Sequence, residues 1–171
     1  KDLPGQRFAV VRDHVNRAGV QDGHDDDVTR RPCAERADGG SVADLVGERL
    51  GLELAMLASL ESVHLIAHSA GAYILEPLCE SYRAATAGRP GRPAHVRMTF
   101  LDPIGFRGPL DAGWGARHYG QCADEAEAFI NTDDFAPATA ELLQHARTTD
   151  VTDDPARKQF GGGGHRWPVQ F

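Results

Sequence analysis

Apolar and polar positions along the chain fall into two rhythms that replace one another. RFAVV, residues 7–11, is a short apolar run and predicts a buried strand. From Val42 to Leu60 the apolar residues recur at 42, 45, 46, 50, 54, 57 and 60, steps of three and four that mark an amphipathic helix. Ser41 stands before it as an N-cap, with Asp44 three residues on as a capping-box partner. SVHLIAH, 62–68, is short and rich in β-branched residues, and predicts a buried strand. A second helix is predicted from about Ala70 to Ala87, where RPGRP, 89–93, breaks it. HVRMTFLDP, 95–103, is the next strand, with Val96, Met98 and Phe100 alternating before Asp-Pro. Residues 104–124 read as a long loop, AEAFINT, 126–132, as a strand, and PATAELLQH, 137–145, as a short helix or a turn region. ARTTDVT, 146–152, is β-prone, and the tail holds GGGGHRWPVQF.

Strand and helix alternate from residue 42 to about 132, which implies βαβ units and a mainly parallel central sheet flanked by helices. The expectation is an α/β fold in one domain spanning residues 1–171. The 19 glycines and 10 prolines point to many loops. A net charge of −7 without a basic patch speaks against nucleic acid as a partner, and against charge-driven binding to an anionic membrane. No run approaches the ~18 apolar residues of a membrane span, and no signal peptide is visible, which leaves the compartment open. The acidic run Asp25–Asp27 lacks the spaced ligands of a calcium loop and reads as a solvated loop. Cys33, Cys79 and Cys122 are widely spaced without a CxxC pattern. They are either three separate thiols or one disulfide with a thiol left over.

In parallel sheets, reactive groups gather beyond the carboxyl ends of the strands. Ser69 lies there, between SVHLIAH and AGAYILEPL, in the strand–turn–helix setting of a nucleophile elbow. Such a turn excludes bulky side chains two residues to either side, and Ala67 and Gly71 are small. Ala67 departs from the glycine of G-x-S-x-G but still fits. A helix start behind the serine supplies backbone N–H groups suited to an oxyanion. A plain structural turn is the competing reading.

A serine hydroxyl needs a base, and the base an orienting acid. Asp102 ends the next strand, on the same rim as Ser69; Asp133 and Asp134, after the following strand, are the alternative acids. Among eight histidines, His165 is last in order, in a glycine-rich loop anchored by Trp167-Pro168, and is the first candidate for the base. His118, in the long loop, is the alternative. His68, adjacent to Ser69, points away from it as neighbours on a tight turn do, and reads as a support for the pocket. The loop 104–121 brings Ile104, Phe106, Trp114 and Tyr119 beside the acid, either as a lid or acyl-chain wall or as a surface loop packed on the sheet.

AHSAG, then FLDPIGF, then GHRWPV resembles the serine lipases and esterases of the α/β-hydrolase superfamily over roughly residues 42–168. LDP-x-G directly after the strand that follows the nucleophile is similar to the pancreatic-type lipases, which often read G-L-D-P-A-G there. The resemblance implies a minimal α/β-hydrolase fold lacking the first strands, with Ser69 as nucleophile, Asp102 as acid, His165 as base and the N–H of Ala70 as an oxyanion donor. It implies cleavage of carboxylic esters through an acyl-enzyme, no metal or organic cofactor, a small-molecule ester or lipid substrate, and transient contact with a lipid interface. The family's H-G pair after an early strand is missing, as RDHVNRAG follows RFAVV, and the second oxyanion donor is expected near Asn16–Arg17. The disulfide set of animal lipases is also missing. A non-catalytic binding protein of this fold, and a thioesterase or amidase, are the alternative functions.

Overall fold

The computed structural model describes residues 6–11, the first strand, by their backbone, together with residues 41–57, 60–91, 93–107, 111–133 and 140–171. Asn16, Asp25–Asp27, Cys33 and Asp134 lie outside the described residues. Strands β1 (Gln6–Val11), β2 (Ser62–His68), β3 (His95–Leu101), β4 (Glu125–Ile130) and β5 (Arg147–Asp150) form one sheet in the order β1-β2-β3-β4-β5. Every pair is parallel. Helices α1 (Val42–Ala55), α2 (Ala72–Thr86) and α3 (Trp114–His118) lie in the connections. The chain thus has an α/β fold with a parallel sheet, as the alternation of rhythms predicts.

Each strand pairs with the next in sequence, so the chain always steps the same way across the sheet. Right-handed crossovers then bring the connecting helices to one face. On that face Val63, Leu65 and Ala67 of β2 and Val96, Met98 and Phe100 of β3 join Leu75, Leu78, Cys79 and Tyr82 of α2 in one buried core. His64, Arg97 and Thr99 point to the other face, where His64 Nε2 bonds Thr99 Oγ1 at 2.8 Å and Glu127 accepts from Thr99 and Arg97. The register sets His68 beside Leu101 and Leu101 beside Phe129. The residues following these strands therefore meet on one rim.

The capping box of α1 is present: Asp44 N–H donates to Ser41 Oγ and Ser41 N–H to Asp44 Oδ2. The buried face of α1, however, is not its apolar stripe. Gly47, Gly51 and Ala55 are buried against α2, whereas Val42, Leu45, Val46 and Leu50 are exposed. A Cβ at Gly51 would stand 2.3 Å from the Leu78 carbonyl oxygen, and one at Gly47 2.6 Å from that of Ile74. Only glycine permits that approach, and the close backbones gain dispersion contacts that larger side chains would forfeit. The helix also stops at Ala55, short of Leu57 and Leu60.

The long loop is tied back to α2 in two ways. A disulfide joins Cys79 to Cys122 across a sequence separation of 43; closing a loop of that size removes unfolded-chain entropy worth about 4 kcal/mol. One turn earlier on α2, the buried Glu76 accepts hydrogen bonds from the N–H groups of Gly120 and Cys122. Burial pushes the Glu76 carboxyl up from its usual 4.5 to about 7, even though those N–H groups favour the carboxylate. The fold therefore favours the neutral form. That contribution is complete below about pH 4.5 and is lost as pH rises through 7, costing about 3 kcal/mol by linkage. The urea midpoint of the wild-type protein should accordingly fall more steeply between pH 5 and pH 8 than that of Glu76→Gln. His64, whose pKa is lowered by burial and then by Arg97, acts in the opposite sense below 6.5 but is common to both proteins. Parallel pH profiles of the two midpoints would remove Glu76 from this role.

One expectation for the remaining segments changes. The loop after β3 contains the short helix α3. Of the segment 137–145, the described part, 140–145, is non-helical. The tail is folded, with a helical turn at Pro155–Gln159 and another at Gly164–Val169.

Candidate active site

β2 is buried on alternate residues as far as Ala67, and the chain then turns through Ser69–Gly71 directly into α2. Ser69 sits at φ +57°, in the left-handed region that costs a residue with a side chain free energy and is kept where the surroundings enforce it. The N–H of Ile104, just beyond the acid, donates to the Ser69 carbonyl at 3.3 Å and holds the turn. Among the described residues no side chain caps this turn or α2, so there the first-turn N–H groups, Ala70 foremost, carry the positive end of the helix without a side-chain acceptor.

Asp102 is the first residue past β3, at φ +46°, with its N–H tied to the Phe129 carbonyl at 2.8 Å. Its side chain is fully enclosed. A carboxylate in that position needs donors to offset its lost hydration. It has the backbone N–H of Asn131 on Oδ1 at 3.0 Å and His165 Nδ1 on Oδ2 at 2.7 Å. Because a carboxylate only accepts, Nδ1 carries a proton, and in the neutral imidazole Nε2 then presents its lone pair. Ser69 Oγ lies 2.7 Å from that Nε2 and donates to it.

His165 belongs to the turn Gly164–Val169, anchored by the buried Trp167, whose indole N–H donates to the Val151 carbonyl at 2.7 Å. Its side chain is about a quarter exposed, at 27%, so the imidazole is reachable while its acid partner is not. His68 donates from Nε2 to the His165 carbonyl at 2.8 Å, with the two rings 4.6 Å apart. The residue before the serine thus braces the backbone of the histidine.

Ser69, Asp102 and His165 are therefore brought into one hydrogen-bonded line although 96 and 63 residues separate them from one another in sequence. Of the alternatives, the two among the described residues, His118 and Asp133, are engaged by other partners. His118 stacks on Trp114, ring centroids 4.7 Å apart, and its Nδ1 donates to the Trp114 carbonyl. Asp133 takes Arg157 and the side-chain amide of Asn131. Of the three aromatic residues considered for a wall, Tyr119 is a correction: it is fully buried, stacked on Phe100 at 5.1 Å, and donates to the Ile104 carbonyl at 2.7 Å. An apolar body with one satisfied hydroxyl belongs to the core rather than to a substrate surface. Trp114 is half-buried under the Arg107 guanidinium, and Phe106 is exposed, its carbonyl accepting from Tyr73.

Asn131 and Arg157 had no place in the sequence reading. Asn131 follows β4 on the same rim as Ser69 and Asp102, so the rule that located those two also points to it; nothing local distinguishes Arg157. The described residues contain no group of His, Cys, Asp and Glu side chains suited to hold a metal ion. Among them, no helix is long and apolar enough to cross a membrane. No family model, curated protein or solved structure matches the chain.

Proposed function

We propose that the protein is a serine hydrolase that cleaves carboxylic esters, of the lipase or esterase kind and built on a minimal α/β-hydrolase plan. The observation that carries this reading is the pair of 2.7 Å hydrogen bonds, Ser69 to His165 and His165 to Asp102, at the carboxyl rim of a parallel sheet. In the proposed reaction Ser69 Oγ attacks the acyl carbon while its proton passes to His165 Nε2. The carbonyl oxygen, now an oxyanion, takes the N–H of Ala70. The C–O bond breaks as His165 returns the proton to the leaving alcohol, and water, deprotonated by the same nitrogen, releases the acid. Asp102 holds the Nδ1–H tautomer and stabilises the imidazolium. These steps call for no cofactor. The substrate is a small ester or lipid met in solution or at a lipid interface, with Phe106 and Trp114 as its apolar wall. Nucleic acid is not a partner on this reading, in keeping with the net charge of −7.

A p-nitrophenyl ester series from acetate to palmitate tests it, run beside covalent labelling by a fluorophosphonate. Turnover together with a phosphonylated Ser69 is expected. Turnover of the matching thioesters or anilides alone would move the activity to a thioesterase or amidase, and neither turnover nor adduct would leave a binding protein.

A further inference from the structure

We infer that Asn131, clamped by the Asp133–Arg157 ion pair, is a positioning residue that holds the acid and the base loop of the triad against one another. The inference rests on the hydrolase reading above for its catalytic consequence, and on geometry for the arrangement itself.

Asn131 is the first residue past β4 and is fully buried. Its backbone N–H bonds Asp102 Oδ1 at 3.0 Å. Its side-chain Nδ2 donates to Asp133 Oδ1 at 2.5 Å. Arg157 Nη2 lies 2.7 Å from both carboxylate oxygens of Asp133, and Nη1 donates to the Thr152 carbonyl at 3.4 Å. One connected cluster therefore reaches from the segment beyond β5 to the buried acid.

The same cluster carries the base. A Cβ at Gly164, the residue before His165, would stand 2.4 Å from Asn131 Nδ2, 3.0 Å from Asp133 Oδ1 and 3.1 Å from Arg157 Nη2. The loop backbone at Gly164 thus lies close against all three side chains, and a Cβ there would have to displace the buried Asn131 amide. Gly161–Gly164 is a run with unusually large conformational entropy. Such a segment does not hold a histidine in place by itself; it needs a rigid surface to lie on. Asn131 Oδ1 is buried without a hydrogen-bond partner among the described residues. An orphaned acceptor costs free energy, and the amide keeps this orientation because the reverse one would turn its oxygen on the Asp133 carboxylate. The charge of Asp133 thus sets the amide, and the amide seats the loop.

Asp133→Asn and Arg157→Gln test this in the whole chain, with Arg157→Lys as the conservative variant. Arg147→Gln, which opens an exposed ion pair to Glu127 away from the site, is the control. Two quantities are read: kcat and KM for a p-nitrophenyl ester, and the far-downfield proton resonance of the His165 Nδ1–H bond to Asp102. Asp133→Asn and Arg157→Gln should lower kcat roughly 10- to 100-fold, as small misplacements of catalytic groups do, with KM little changed. They should also broaden or shift the resonance. Arg157→Lys should restore part of both, and Arg147→Gln should change neither. Folded Asp133→Asn and Arg157→Gln proteins with wild-type kcat and resonance overturn the inference, as does an equal loss in Arg147→Gln. If Asp133→Asn does not fold, the partly exposed Arg157 carries the test. If the wild-type protein turns over no ester, the hydrolase reading fails, and the resonance alone decides whether the cluster positions the pair.

Discussion

Ser69→Ala should lower ester turnover at least about 10³-fold while the protein keeps its thermal transition. Alanine removes the Oγ that lies 2.7 Å from His165 Nε2 and nothing that the core depends on. The left-handed φ of +57° persists as a strain that alanine bears much as serine does. The fluorophosphonate adduct should vanish with the turnover. Rates with p-nitrophenyl acetate, compared at matched protein concentration with circular dichroism as the fold control, check this. A folded Ser69→Ala protein that turns over at near wild-type rate would falsify the assignment of the nucleophile.

Asp102→Asn should be nearly as severe, about 10⁴-fold in kcat. Its side-chain amide can donate to His165 Nδ1, which places the imidazole proton on Nε2, where it blocks transfer from Ser69. The replacement is close in shape, and an amide oxygen at Oδ1 still accepts the Asn131 N–H. Loss of fold is therefore not the expected cause, and kcat should fall with KM nearly constant. The ranking against Asp133 is the sharper comparison. Asp133 is bonded to Arg157 and to the Asn131 amide, so Asp133→Asn should cost only the positioning effect, well below that of Asp102→Asn. A larger loss at Asp133 than at Asp102 would move the acid to the later loop and end the comparison with the pancreatic-type arrangement.

Much of the scaffold was legible in the chain because it is written in local periods. Strand β2 begins and ends where the run SVHLIAH does, and the helix after it follows from the change of period at Ser69. Ser41 and Asp44 announce the start of α1, because a capping box is satisfied within four residues. The positions of Ser69 and Asp102 follow from one rule about strand ends in parallel sheets. His165 was located by chain order, by its glycine-rich loop anchored by Trp167-Pro168 and by the family resemblance, and the side-chain geometry is consistent with that choice.

What needed the tertiary structure is what depends on pairs far apart in sequence. The period of α1 marks its apolar stripe, but not the surface against which the helix docks; α2 offers a close-packed backbone, and Gly47, Gly51 and Ala55 meet it instead. Tyr119 reads as a loop aromatic until the Cys79–Cys122 bond and the Glu76 carboxyl draw its loop onto α2. Which two of the three cysteines approach one another is equally a question of packing. Arg157, Asp133 and Asn131 carry no shared motif; the parallel register and the folded tail make them neighbours. Short-range order is set by backbone sterics and the spacing of side chains within a turn or a strand, so the sequence determined it alone. The partners of a buried charge are set by which distant segments the closing core brings together, so only the tertiary structure decided them.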